Sequence, residues 1–435
     1  MKTSLSRRHF LKTSLTGAAG LAFLPVLKGC STGPNDMLRL GFIGLGRQTV
    51  FLVDGFNTIP GVKIVAGCDV YEIKRMRFER QVRAFQEAQG QTPDVTMFEN
   101  YQDLLAREDI DAVVIATPDH WHAIQAIDAC KAGKDIYLEK PLVFTIKEGI
   151  ELTKAVRSNN RILAVGSQQR SDPNFQHVVQ TVQNGRLGSL NKVHAWVGPP
   201  PTAYDLPEEQ IPAGLDWDKW LGPNPYVHYN HRLAPPIQLD PEVNEDFWAE
   251  WRYFKETGGG FLTDWGAHNF DIAQWALGKQ YSGPVEIRPA GYNGHEYISF
   301  VYGDGTIVWN EPFSEDRGFG LRFEGSDGWL EVARGRVTAS EPELMPPGYS
   351  TENDDIPYET GTPHLVDFVE AVKNKKDPIA NVEAGHRTGS VGILGNIATS
   401  LNRPLKWDPD QQRFVDDSEA DQLLHRPYRD GYTLG

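Results

Sequence analysis

Apolar residues arrive in two rhythms along this chain. Between Leu38 and residue 165, short unbroken apolar runs at Leu38–Ile43, 62–67, 112–117, Asp135–Leu138 and 162–165 alternate with helical stretches. One of these helices runs through Ala132, and another covers Ile146–Ser158. Unbroken runs suit strands buried on both faces, so this half predicts a parallel sheet with helices on either side. From about residue 190 the texture changes. Strands are expected at 191–197, 285–293, 297–302, 306–310, 320–324 and 329–332, joined by turns such as Gly303-Asp304-Gly305 and Ser326-Asp327-Gly328. Consecutive hairpins predict a second, largely antiparallel sheet. A Pro-, Trp- and Tyr-rich insertion at 199–254 reads as a loop carrying surface for a ligand or a subunit contact. Helices return at 364–373 and 387–401.

The first strand leads into Gly44-Leu45-Gly46 and then a helix; the next strand ends near Asp69. That is the order of a dinucleotide-binding βαβ unit. Gly44 turns the chain off the strand, and Gly46 with Arg47 opens a helix N-terminus to a pyrophosphate. Asp69 follows at about the 20-residue separation at which a carboxylate meets the ribose hydroxyls. It would repel a 2′-phosphate, so NAD is expected rather than NADP. The third glycine of the G-x-G-x-x-G pattern is replaced by Thr49. The fold class is therefore α/β plus α+β: a doubly wound Rossmann sheet followed by a domain with a large, mostly antiparallel sheet.

Composition narrows the class. The 435 residues leave room for two or three domains, and 40% hydrophobic with 23% charged residues are the proportions of a globular protein. A net charge of −15 argues against nucleic-acid or anionic-membrane binding. At the N-terminus, Ser6-Arg7-Arg8-His9-Phe10-Leu11-Lys12 and the mild apolar run after it read as a twin-arginine export signal. Leu27-Lys28-Gly29-Cys30 resembles a lipoprotein cleavage box and makes Cys30 the candidate lipid anchor. Cys68 and Cys130 are expected as two buried thiols. The expected divisions are a signal and linker at 1–36, a dinucleotide domain at 37–168, a substrate domain at 169–386, and a C-terminal helix and tail at 387–435 that packs back on the dinucleotide domain.

Ligands of an open α/β sheet collect at the carboxyl ends of its strands. Three polar clusters should meet there: the glycine turn, Thr117-Pro118-Asp119-His120-Trp121-His122, and Glu139-Lys140-Pro141. With the later stretch from Gly258 through Thr263-Asp264-Trp265-Gly266-Ala267-His268 to Asp271, these motifs, in this order, resemble the glucose–fructose oxidoreductase/inositol dehydrogenase (Gfo/Idh/MocA) family. The likeness runs from about Leu38 to Leu401. It implies an NAD-binding Rossmann domain, a sheet domain that commonly packs against a copy of itself, and sugar or polyol substrates.

The same resemblance implies Lys140, Asp264 and His268 as the catalytic set. Chemistry agrees: oxidising a secondary alcohol needs a base for the hydroxyl proton. An imidazole near its reference pKa of about 6.5 serves at neutral pH. Asp264, four residues earlier on one helix face, would orient that imidazole or accept a bond from a substrate hydroxyl. Lys140 would supply a cation near the developing alkoxide. By resemblance Thr117, Pro118, His120, His122 and Glu139 join Lys140 around the cofactor. Trp121, Gln169, Arg170 and Trp265 are candidate substrate contacts, Gln169 and Arg170 being equally readable as a polar loop. His120-x-His122 suggests a metal only if a third ligand stands nearby, and the sequence marks none, so no metal is expected.

Export sets a further condition. Free NAD is scarce outside the cytoplasm, so tightly held NAD, regenerated within the site, is expected. Coupled oxidation and reduction of two sugars fits. So does transient oxidation of a glycoside, elimination of its substituent and re-reduction, a redox-neutral glycosidase reaction. The Asp264/His268 arrangement resembles the dehydrogenase pattern and favours the oxidoreductase. A sugar-binding protein without turnover is a third reading, against which Lys140, Asp264 and His268 together argue.

Overall fold

Four residues of the run expected at the centre of the first sheet, Ala112–Ile115, are each fully buried. In this computed structural model residues 37–239, 248–314, 318–349 and 362–434 are described. The expected export signal and Cys30 lie outside them. Among the described residues the first sheet has six parallel strands: β1 (Leu38–Ile43), β2 (Val62–Cys68), β3 (Thr96–Phe98), β4 (Ala112–Ile115), β5 (Asp135–Leu138) and β6 (Leu163–Val165), in the order β3-β2-β1-β4-β5-β6. Helices α1 (Arg47–Asn57), α2 (Glu72–Ala88), α3 (Tyr101–Leu105), α4 (Asp119–Lys131) and α5 (Ile146–Ser158) connect them. Strand order reverses between β1 and β4, which opens the crevice beyond their carboxyl ends.

The ends of these strands are stitched together. Gly44 N–H donates to Cys68 O (2.9 Å), Ala116 to Ile43 O (2.8 Å), Glu139 to Ile115 O (2.9 Å) and Gly166 to Leu138 O (2.8 Å). The glycine turn, the Thr117 segment and the Glu139-Lys140 segment therefore stand side by side along one rim. Gly44 has φ +84°, and a Cβ there would lie 2.7 Å from the Thr117 nitrogen, so no larger residue fits the turn. Thr49 fills the place of the third glycine without loss: it is buried, and its hydroxyl donates to Gly44 O (2.6 Å).

After helix α6 (Pro173–Gln183), the second sheet begins with β7 (Leu190–Trp196). Helices α7 (Trp217–Leu221), α8 (Gly260–Asp264) and α9 (Gly266–Ala276) come next. They precede β8 (Glu286–Arg288), β9 (Ser299–Val301), β10 (Ile307–Trp309), β11 (Gly320–Gly325), β12 (Gly328–Ala333) and β13 (Arg336–Ala339). Helices α10 (Thr362–Asn374) and α11 (Val382–Leu401) lead to β14 (Leu405–Asp408) and β15 (Arg413–Phe414). The nine strands run β13-β12-β11-β7-β10-β9-β8-β14-β15, antiparallel except for the β7–β10 pair. The strand expected over 285–293 stops at Arg288, because Gly291 takes φ +85° and the chain turns there. The last long helix starts at Val382, earlier than expected, with Asn381 capping it through the Ala384 N–H (3.0 Å).

Helix α11 joins the two sheets, packing on α5 of the first and on α8 and α9 beside the second. A Cβ at Gly392 would lie 2.2 Å from Leu262 O. Only glycine lets α11 lie directly on the α8 backbone, and that contact fixes where Asp264 stands.

Candidate active site

Gly44, Gly46, Arg47, Asp69, Thr117 and Pro118 line one cavity of ≈ 320 Å³. Asp69 shapes it from beneath: its carboxylate accepts from the Leu45 N–H (2.8 Å) and the Tyr71 N–H (2.9 Å), pinning the turn to the end of β2. A carboxylate has about four acceptor positions, so two bonds leave room for hydroxyl donors. Gly46 caps α1 with no side-chain hydrogen bond, and a Cβ there would meet nothing within 4 Å. The first N–H groups of α1 therefore face open space with the positive end of the helix dipole behind them. These residues fit a dinucleotide: an open anion site at one point and a ribose-binding carboxylate at the next.

The insertion supplies the opposite wall, including Trp220, Leu233, Trp248, Trp251 and Arg252. The Arg252 guanidinium lies over Trp248 (4.3 Å) and over Trp251 (4.2 Å), and its Nε is 3.6 Å from Asp264 Oδ1. Lys140 reaches the same carboxylate, Nζ to Oδ1 2.5 Å, and also donates to Asp264 O (3.3 Å). Lys140 and Asp264 do not line the cavity; they stand behind Arg252, which does. Burial works to raise the Asp264 carboxyl, but Lys140 and then Arg252 outweigh it and hold the group below its usual range. Asp264 is ionised at neutral pH.

Asp264 ends α8, Trp265 joins the helices in a helical conformation (φ −82°, ψ −24°), and His268 belongs to α9. The turn tightens there: the Trp265 N–H donates to Phe261 O (3.0 Å), and Trp265 O accepts from the His268 N–H and the Asn269 N–H (both 2.9 Å). Each side chain has its own partner. Arg334, from the turn between β12 and β13, stands with Nη2 3.0 Å from His268 Nε2 and with its guanidinium 4.7 Å from the Trp265 ring. Guanidinium can only donate, so Nε2 accepts and the neutral ring carries its proton on Nδ1. That Nδ1 is buried and has no hydrogen-bond partner among the described residues. Burial, then Arg334, then Lys140 push the imidazole well below its ordinary pKa. Its proton affinity is thus far weaker than the reference value used for the sequence expectation.

Several expected contacts have structural work instead. His120 and His122 lie within the first turns of α4, where residues two apart point in different directions. His120 is bracketed by Trp220 O (2.9 Å) and Thr257 O (3.3 Å), and His122 by Pro141 O (2.8 Å) and Thr117 O (2.9 Å). Burial lowers them to about 3 and about 4, against the pull of those carbonyls. Both rings are neutral, so each donates its single N–H to one of its two carbonyls, and neither lines the cavity. Arg170 grips Asp271 with two bonds of 2.7 Å and also donates to Gln280 Oε1 (2.8 Å), fully buried. It holds the short turn Gln168–Ser171 to α9, and its guanidinium is taken up by these partners. Gln169 beside it is buried, its Oε1 without a hydrogen-bond partner among the described residues.

Trp121 lines the cavity, but its indole N–H donates to Lys219 O and Trp220 O (both 3.1 Å), and its ring meets Tyr101 and Tyr432 edge to face. It belongs to the wall of the dinucleotide cavity. Trp265 packs on Phe319 and lies 5.7 Å from the His268 ring. Glu139 is buried; it accepts from Gln48 Nε2 (3.0 Å) and from the Lys140 N–H (3.2 Å).

Sequence reasoning did not single out Arg252, Arg334 or Asp119. The Trp248-x-x-Trp251-Arg252 grouping is an available cue for the first, because tryptophan faces hold guanidinium groups. Arg334 sits in an ordinary hairpin turn and has none. Asp119, in the first turn of α4, is buried, and burial followed by repulsion from Asp264 pushes it up to about 8. It keeps its proton at neutral pH.

Residues 38–167 match the Gfo/Idh/MocA family description "Oxidoreductase family, NAD-binding Rossmann fold", and residues 178–434 match "Oxidoreductase family, C-terminal alpha/beta domain". A "Glycosyl hydrolase family 109 protein" of Shewanella sp. (strain W3-18-1) is 32% identical over 167 residues, which is 33% of this chain and 35% of that one. The chain thus aligns with well under half the length of such relatives. Two solved structures share the fold. Scyllo-inositol dehydrogenase from Lactobacillus casei, with bound NAD(H) and scyllo-inositol, has 17% identity and a TM-score of 0.56, covering 85% of this chain and 99% of that one. The WlbA dehydrogenase of Bordetella pertussis, in complex with NADH and UDP-GlcNAcA, has 19% identity and a TM-score of 0.57, covering 86% and 99%. With both of its halves matched and its dinucleotide crevice formed as above, the chain belongs to the Gfo/Idh/MocA family of NAD-dependent oxidoreductases.

Proposed function

We propose that the protein oxidises a secondary hydroxyl of a sugar, glycoside or polyol, using NAD that it retains between turnovers. The observation that carries this reading is the ionised Asp264 held by Lys140 and Arg252 beside an NAD-binding crevice, with a neutral imidazole at hand. NAD, when bound, supplies the hydride acceptor. The chain's residues manage the proton and the charge. Lys140 presents a cation fixed by Asp264, so alkoxide character on the substrate oxygen is stabilised without reorganisation. His268 accepts the hydroxyl proton at Nε2 once a substrate draws Arg334 away from it. Trp265 stands beside that imidazole with the Arg334 guanidinium over its ring, so drawing Arg334 away also bares the indole to a sugar ring.

A second reading is supported by the relatives named as family 109 glycosyl hydrolases. In it the oxidation is transient: a ketone acidifies the neighbouring C–H, the glycosidic substituent leaves with a proton as the unsaturated ketone forms, water adds at the vacated carbon, and the hydride returns to the ketone. The export signal expected before residue 37 would place either reaction in the bacterial envelope, with Cys30 as lipid anchor and a homo-oligomer as the assembly. All of these are part of the proposal.

The test is to purify the protein, quantify released NAD, and mix it with a panel of free sugars, polyols and aryl glycosides. Reduction of bound NAD by a free sugar or polyol supports the oxidoreductase. Aglycone release with no net reduction supports the glycosidase. Neither outcome across the panel, with NAD present, overturns both.

A further inference from the structure

We propose that the segment from Arg426 to Tyr432 is part of the cofactor site and holds the dinucleotide in place by closing the Asp69 end of its cavity. This rests on the reading of a retained NAD.

Tyr432 lines the cavity that contains Gly46 and Asp69, and it also lines a second cavity of ≈ 320 Å³ with Lys147, Glu151 and His425. Tyr432 is thus shared by the two spaces. It packs edge to face on Trp121 (5.5 Å), which in turn packs on Tyr101 (5.8 Å), so an aromatic row continues from α3 and α4 of the Rossmann sheet into the tail. Tyr101, Trp121 and Tyr432 all face the cavity.

The segment has no regular structure, and its position depends on side-chain moorings to two parts of the chain. Toward the insertion, Arg429 donates from Nε to Gly222 O (2.8 Å) and from Nη1 to Asp218 Oδ1 (2.6 Å), and its N–H bonds Pro223 O (3.1 Å). Arg426 donates from Nη1 to Glu256 O (3.0 Å) and from Nη2 to Asn224 Oδ1. Toward the Rossmann domain, Arg426 lies over the Phe144 ring (3.8 Å), and the Tyr428 hydroxyl donates to the buried Glu148. The tail therefore ties the insertion wall of the cavity to the Rossmann wall. A dinucleotide leaving past Asp69 must displace Tyr432 and loosen these bonds, which slows release without changing the chemistry at the Lys140 end.

The test compares the wild type, Tyr432→Ala and a chain ending after Arg429. NAD per chain is measured by mass spectrometry after extended dialysis, and the NAD dissociation rate is followed by tryptophan fluorescence after reloading. The expected result is dissociation faster by about tenfold or more in both variants. Equal dissociation rates in variants and wild type overturn the proposal. Wild type that loses NAD as fast as an open Rossmann domain overturns the retained-cofactor reading instead. The dissociation rates after reloading still decide the role of Tyr432 in that case. If the shortened chain does not fold, the Tyr432→Ala comparison stands alone.

Discussion

Lys140 Nζ lies 2.5 Å from Asp264 Oδ1, across 124 residues of sequence and between two differently built domains. One partner follows the end of a parallel strand; the other ends a five-residue helix seated on α11. The pair is nearly closed to solvent, with side-chain exposures of 14% and 5%. Removing one member of a buried pair leaves the other uncompensated, at a cost of up to about 5 kcal/mol. Arg252 at 3.6 Å softens that cost for Asp264.

Lys140→Met is accordingly expected to fold, with stability lowered by about 1–3 kcal/mol in denaturant titrations. It should keep its NAD, because no group that lines the glycine-turn cavity changes. Its kcat should fall by about 10²–10³, the usual loss when one donor to a developing oxyanion is removed. A variant with near-normal kcat would remove Lys140 from the chemistry.

In the proposed mechanism Arg334 and His268 set the acid side of the pH profile. After burial, the guanidinium is the largest influence lowering the imidazole pKa. Arg334→Gln removes a positive charge beside the base and must raise that pKa toward about 6.5. The acidic limb of kcat, low in the wild type, should move to higher pH in the variant. An unmoved limb means that His268 is not the titrating base.

Arg170→Ala tests the structural assignment of a residue first taken for a substrate contact. It leaves Asp271 buried, with Thr388 Oγ1 at 2.8 Å as remaining donor. A loss of about 3–5 kcal/mol is expected in unfolding experiments. The fraction that remains folded should show an unchanged KM for sugar. A large KM effect with little loss of stability would restore the substrate-contact role.

Asp119 gives a stability signature. The carboxyl titrates near 3.8 in the unfolded chain and is pushed up to about 8 in the fold. Below the lower value both states hold the proton, and the native form has the full benefit. As pH rises through the window the unfolded chain releases its proton first, so native stability falls until the folded group also ionises near 8. Asp119→Asn cannot titrate. The wild type should lose stability relative to this variant between about pH 4 and about pH 8, and the difference should level off above that. A difference independent of pH would show that Asp119 is ionised in the fold.

What the sequence made legible follows from locality. Gly44, Thr49 and Asp69 act within a single βαβ unit, and their spacing alone places them at one turn. The unbroken apolar strands and the hairpin turns of the second sheet are likewise local patterns. The catalytic end is different, because it depends on contacts between distant segments. Four-residue spacing suggested that Asp264 could orient His268, but each is taken by cations from elsewhere in the chain, Lys140 with Arg252 for one and Arg334 for the other. His120 and His122 looked like cofactor contacts because they stand in a motif at a strand end. Only the fold reveals that nearby carbonyls occupy both rings. Arg170 belongs with them: its carboxylate partner lies 101 residues away.

The most direct test is a single-turnover experiment on protein carrying its own NAD, wild type against Lys140→Met, mixed rapidly with the sugar or glycoside selected from the panel. The near-ultraviolet absorbance of reduced NAD should rise in the wild type within one turnover, and either persist or decay as the sugar is re-reduced. The variant should show the same bound NAD with a rise slower by about 10²–10³. Product formation from the same substrate with no transient reduction of NAD in the wild type, or an equally fast rise in the variant, would contradict an oxidation carried out at the Lys140–Asp264 pair.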